Sequence, residues 1–166
     1  MLSVRFSKDE LTDKLNSNDT IFRDALKLAK SDDPNLGWRA AWVLYHSIER
    51  NDERIKRNIL QVIKSINGKR DGHQRELLKI ISKMDINENQ EGYLFDSCLT
   101  IWENINKSPS VRITAFRTLM NLVKKYPELL EELEAFTDIH YVECLSPGIK
   151  RSFQKLVKEI KKPSQL

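Results

Sequence analysis

Four helix starts recur at an almost fixed period: Asp33-Pro34, Asp71-Gly72, Ser108-Pro109 and Ser146-Pro147, spaced 38, 37 and 38 residues apart. Self-similarity at such a period is the mark of stacked helical hairpins, a solenoid. The four starts share a mechanism. Asp or Ser accepts a hydrogen bond from an N–H of the first helical turn that has no partner within the helix. Proline at the next position has no N–H to satisfy, and its φ already suits a helix. Asp71 is followed three residues on by Gln74, a capping-box pairing.

An apolar stripe at helical spacing follows each start. It reads Ala40, Ala41, Leu44 and Ile48 in the first unit, and Leu77, Leu78, Ile81 and Met84 in the second. Ala115, Phe116, Leu119, Leu122 and Val123 form the third, and Ile149, Phe153, Leu156, Val157 and Ile160 the fourth. Another helix precedes each start. Its stripes are Ile21, Phe22, Ala25, Leu28 and Ala29, then Ile55, Ile59, Val62, Ile63 and Ile66, which stops at Gly68. Tyr93, Leu94, Cys98, Ile101, Trp102 and Ile105 mark the third, and Leu129, Leu130, Leu133 and Phe136 the fourth. That last helix is expected to break near 137–141, and a leading helix over 8–16 to cap the stack. No sustained period-two alternation competes. The expectation is one all-α domain over 1–166, with repeats at about 20–48, 52–84, 90–125 and 127–162.

Apolar residues make up 40% of the chain and charged residues 31%, mixed in sign as amphipathic helices require. Two cysteines, Cys98 and Cys144, are too few for a disulfide framework and read as buried free thiols. MLSVRFSKDE has no apolar core of signal-peptide length, and no stretch approaches a membrane span. A cytoplasmic setting without membrane association is expected.

The segment Ser108-Pro109-Ser110-Val111-Arg112-Ile113-Thr114-Ala115-Phe116-Arg117-Thr118-Leu119 resembles the turn and second helix of a HEAT repeat. Asp33-Pro34 through Arg39-Ala40-Ala41 is a looser copy, and Ser146-Pro147-Gly148-Ile149-Lys150 another, with lysine in place of arginine. More narrowly, 37–44 (GWRAAWVL) and 125–129 (KYPEL) are similar to a family of short bacterial HEAT-like proteins. Some of its members are called adenylosuccinate lyases, but this chain lacks the Ser-Ser-x-Met-Pro-x-Lys loop of that much longer family. The resemblance implies a right-handed α-α superhelix, HEAT/ARM-like, of about four hairpins. It also implies that the second helices line a concave face, and that Arg112 sits where such repeats often carry a structural arginine. Arg75 and Lys150 hold the same repeat position.

Charge sorts by helix. The spans 34–48, 72–84, 109–125 and 147–162 together carry fourteen basic and two acidic residues. The spans 20–30, 52–66, 90–106 and 127–143 carry seven basic and twelve acidic. The net charge of +4 hides this asymmetry. With the resemblance, it predicts a basic concave face suited to an acidic protein segment or to nucleic acid. The candidates are Arg75, Lys79, Lys83, Arg112, Arg117, Lys150, Arg151, Lys155 and Lys158. Two readings stand for them. They bind a polyanion, or they are structural and solvating, with Lys155, Lys158, Lys161 and Lys162 keeping the last helix soluble.

Trp38, Trp42 and Tyr45 fall on one helix face beside Arg39. They form either an interaction hot spot or part of the core. His46, His73 and His140 share no metal-ligand spacing, and there is no Gly-rich phosphate loop. Glu128, Glu131, Glu132 and Glu134 suit a helix N-terminus. No cofactor, metal or small-molecule substrate is expected, and no catalytic residue. The expected function is a non-catalytic scaffold that binds a protein in its concave face. The alternative is nucleic-acid binding, similar to HEAT-like DNA glycosylases for alkylated bases but without a catalytic acid that maps onto this chain.

Overall fold

Apolar faces at three- and four-residue spacing shape every long helix of the computed structural model, which describes residues 7–161 and the side chains of 7–159. Ile160, Lys161, Lys162 and Pro163, and the segment before Ser7, lie outside the described side chains. The chain divides into two compact units, Met1–Ile86 and Asn87–Leu166.

The first unit begins with α1 (Lys8–Ser17), closed by a capping box between Ser7 and Glu10. In α2 (Asp19–Lys30), Asn18 accepts from the N–H groups of Thr20 and Ile21. The buried face of α2 is Phe22, Leu26 and Ala29, whereas Ile21 is exposed and Ala25 and Leu28 are half-buried. The stripe is therefore rotated from the one expected. The carboxylate of Asp33 accepts from the N–H of Asn35 (2.8 Å) and of Leu36 (2.7 Å). Those bonds close a turn, so α3 (Gly37–Ser47) opens three residues later than its proline suggested. Ala40, Ala41, Leu44 and Ile48 are all buried.

The next helix is split. Asn58, at φ −114° and ψ 3°, separates α4 (Glu53–Lys56) from α5 (Ile59–Lys64). The expected stripe Ile55, Ile59, Val62, Ile63 and Ile66 is nonetheless wholly buried. The turn after α5 ends at Gly68, whose φ of +76° favours glycine. In α6 (Asp71–Ile81), the N-cap is Arg70 and Asp71 is the first helical residue. Gln74 is buried and donates to the carbonyl of Ile66 at 3.0 Å. Asp71 is thus the first helical residue rather than the expected N-cap, and Gln74 also ties α6 to the preceding turn. Helix α3 packs on α1, α2 and α6, and α6 on α5.

In the second unit, α7 (Glu88–Glu103) starts on a capping box between Asn87 and Gln90. Pro109 occupies the first turn of α8 (Pro109–Lys125). Helix α9 (Leu129–Glu134) runs into a 3-10 turn (Ala135–Thr137) and then α10 (Ile139–Val142), so the helix preceding the last start breaks near the expected place. It is followed by α11 (Pro147–Lys161). Helix α8 packs on α7, α9 and α11. Trp102, Phe116 and Phe153 form the aromatic centre, with Trp102 and Phe153 stacked at 5.3 Å. The described residues form helices, turns and loops, without a strand. Cys98 is buried as expected, but Cys144 is exposed because it falls in the turn after α10 rather than on a helix face.

Candidate functional site

Three aromatic residues at i, i+4 and i+7 of α3 lie beside its buried Ala41–Leu44 face. The structure leaves them partly open. Trp38 is 40% exposed, and Trp42 and Tyr45 are half-buried. Their rings continue into His46, which meets Trp42 edge-on at 4.6 Å and Tyr45 at 5.0 Å. The Arg39 guanidinium stands 5.5 Å from the Trp38 ring. Spacing alone did not bring His46 into this set.

The neighbouring α6 supplies the cations. Lys79 and Lys83 place their ammonium groups 4.2 and 4.5 Å from the Tyr45 ring. Arg75 joins Trp38 in lining a cavity of about 620 Å³, together with Pro34, Lys69, Arg70 and His73. These cations differ in how far they are committed. Lys83 donates to the carbonyls of Tyr45 (2.7 Å) and Ile48 (2.8 Å), which caps the C-terminus of α3. Burial and the nearby Lys79 and Lys8 lower its pKa. Arg75 and Lys79 share the buried carboxylate of Glu76, at 3.1 and 2.8 Å. Two positive groups on one negative group leave that stretch of α6 net positive.

His73, set aside as a ligand on sequence grounds, has a structural position. It is buried, its Nε2 lies 2.7 Å from the Ala29 carbonyl, and burial lowers its pKa. Its ring packs directly over Gly37, where an added Cβ would come within 2.5 Å of Cε1. A histidine and a glycine 36 residues apart carry no sequence signal of that pairing.

In the second unit, Arg112 corrects the candidate set. It is 0% exposed. Its guanidinium donates to the carbonyls of Trp102 (2.9 Å) and Tyr141 (2.7 Å) and to Sγ of Cys144 (3.1 Å). It also sits 4.7 Å from the Trp102 ring. A side chain that ties α7, α8 and the α10–α11 turn together is not available to a partner. Arg117 is exposed on α8, and Lys150 is half-buried on α11. Arg151, Lys155 and Lys158 are exposed and, with Gln154 and Glu159, line a depression of about 490 Å³ on α11. The candidates therefore form an aromatic and cationic face in the first unit and a basic stretch of α11 in the second.

No group of three or more His, Cys, Asp or Glu side chains among the described residues is arranged to hold a metal ion. No helix among them is long and apolar enough to cross a membrane.

Helices paired within each unit, in the order seen along the chain, define an α-helical repeat protein, an α-α solenoid. A HEAT repeat domain model matches residues 1–160, and the chain belongs to the HEAT repeat family. No curated protein and no solved structure matches the chain.

Proposed function

We propose that this HEAT-repeat chain is a non-catalytic scaffold whose second helices receive an acidic segment of a protein partner. The supporting observation is the juxtaposition of exposed Trp38 with Arg39, Arg75 and Lys79 across α3 and α6. Interface hot spots are enriched in tryptophan, tyrosine and arginine, and the rigid aromatic rings bury large area at small entropic cost. The cations around them steer an acidic partner and fix its register. Lys83 and Arg112 support the fold rather than the contact, because their donors already serve internal carbonyls.

A second reading rests on a separate observation, the exposed Arg117, Arg151, Lys155 and Lys158. Nucleic acid would bind there through phosphates, with affinity falling steeply as salt rises.

Affinity capture from lysate with and without nuclease, using wild-type chain, Trp38→Ala and Arg117→Glu/Lys155→Glu, tests both. A partner that survives nuclease and is lost with Trp38→Ala supports the scaffold. Material that disappears with nuclease and with the charge-reversed variant, but not with Trp38→Ala, replaces it with the second reading. Trp38 is the cleaner choice than Trp42, because its greater exposure spares the core.

A further inference from the structure

The face proposed above is basic. The second unit carries a groove of the opposite character. A cavity of about 330 Å³ is lined by α7, the end of α8 and the start of α9. Its floor is apolar, made by Phe95 and Leu122, each 6% exposed, with Leu129 beside them. Glu88 and Asp96 flank the floor on α7, and Glu128 and Glu132 on the α9 side. Glu91 is already satisfied, since Lys125 Nζ lies 2.8 Å from both its oxygens and the Tyr126 hydroxyl donates to it at 2.6 Å. Among the described residues, no ion pair involves Glu88, Asp96, Glu128 or Glu132. The surrounding spans 90–106 and 127–143 contain no Lys or Arg at all.

Gly92 adds an independent observation. It lies inside α7 and lines the same cavity. A glycine there weakens the helix relative to alanine. Packing does not require it, because an added Cβ would meet nothing within 4 Å. Its φ is not in the left-handed region. What its missing side chain does supply is backbone open to close approach from outside the chain, between acidic rims and above an apolar floor.

We propose that this groove docks a lysine- or arginine-bearing segment of a protein partner, which inserts an apolar anchor over Gly92 and Phe95. The segment's cations meet Glu88, Asp96, Glu128 and Glu132. The carboxylates set sign and orientation, and the floor supplies the contact area. The site is separate from the α3–α6 face, of opposite charge, and does not rest on the scaffold reading.

The test uses the full chain and a fluorescently labelled helical peptide of leucine and lysine, with its leucine–glutamate counterpart as control. Fluorescence anisotropy should show the lysine peptide binding and the glutamate peptide failing to bind. Gly92→Leu fills the groove without changing charge, and leucine is a good helix former, so the fold is kept. It should weaken the lysine peptide by at least about tenfold, as should Glu128→Lys/Glu132→Lys, each variant checked by circular dichroism. Trp38→Ala should bind the peptide like wild type, which separates this groove from the α3–α6 face. Equal binding by Gly92→Leu would show mere adsorption to surface charge and overturn the proposal, as would binding of the glutamate peptide. Concentration-dependent dimerisation in sedimentation that displaces the peptide would also overturn it, by making a second copy of this chain the occupant.

Discussion

Alanine at Gly37 and at Gly92 should move stability in opposite directions, although each replaces a glycine in a helix. At position 92 the new methyl meets nothing within 4 Å. The helix gains only the restricted backbone freedom of alanine, about 0.5–1 kcal/mol. At position 37 the methyl would stand 2.5 Å from Cε1 of His73, 3.2 Å from Nδ1 and 3.3 Å from Nε2. The ring cannot withdraw freely, since it is 5% exposed and held 2.7 Å from the Ala29 carbonyl. Overpacking of this kind costs about 1–3 kcal/mol. Loss of the hydrogen bond adds about 1 kcal/mol if the ring does move. The propensity gain is muted because Gly37 is the first residue of α3. Gly37→Ala should therefore lose about 1–3 kcal/mol, and at roughly 2–4 °C per kcal/mol in a chain of this size the two variants straddle wild type. Urea unfolding followed by far-ultraviolet circular dichroism measures both. A Gly37→Ala variant as stable as wild type would refute the reasoning. So would a Gly37→Ala penalty that stays unchanged in a His73→Ala background, since residues in contact must couple.

Three further outcomes follow from individual contacts. Arg112→Ala strands the carbonyls of Trp102 and Tyr141 and should cost about 2–6 kcal/mol in urea unfolding; a loss below about 1 kcal/mol would contradict its role as a tie. Burial holds the His73 imidazole below its ordinary range, so at acidic pH the unfolded chain binds a proton that the native chain does not. This contribution is complete above about pH 6.5 and is lost as pH falls below it. Wild type should accordingly lose more stability than His73→Gln between about pH 7 and about pH 5, and equal slopes would refute the assignment. A thiol reagent should modify exposed Cys144 in the native chain, whereas Cys98, fully buried and with its thiol pushed up by that burial, should react only on unfolding. Two fast thiols would place Cys98 wrongly.

What the sequence reveals, and what it conceals, follows from the range of the forces involved. Periodic apolar residues record burial directly, so the second-helix stripes through Leu77, Leu78 and Ile81 or Phe116 and Leu119 are legible. Asp71 and Gln74 show the limit. A capping box is a local pattern, but the Gln74 amide also reaches a buried acceptor eight residues away, the Ile66 carbonyl, which no local pattern records. The split at Asn58 leaves its stripe intact, so periodicity carries no trace of it. Charge and periodicity treat Arg112 and exposed Arg117 alike, and the resemblance to a HEAT repeat is what marks Arg112 as a structural position. The fold supplies the partners, bringing the Trp102 and Tyr141 carbonyls within reach of Arg112 and leaving Arg117 in solvent.

The same distinction decides what a charge tally means. A tally of basic residues treats Lys83, Arg112 and Lys155 alike, although two of them have their donors turned to carbonyls inside the fold. Interaction potential lies in the charges left over after such commitments. In the first unit the remainder is positive and adjoins an exposed tryptophan, with Arg75 and Lys79 together outweighing Glu76. In the second, the described residues lining the groove include no cation, and nearby Lys125 is engaged with Glu91, so the remaining carboxylates keep the groove negative. Two surfaces of opposite residual sign in a chain of net charge +4 respond alike to salt, which screens both. Salt therefore cannot tell them apart, whereas substitution can. Trp38→Ala should affect only the acidic ligand and Gly92→Leu only the basic one. If either variant weakened both ligands, the two surfaces would not be independent, and an account built on residual local charge would fail.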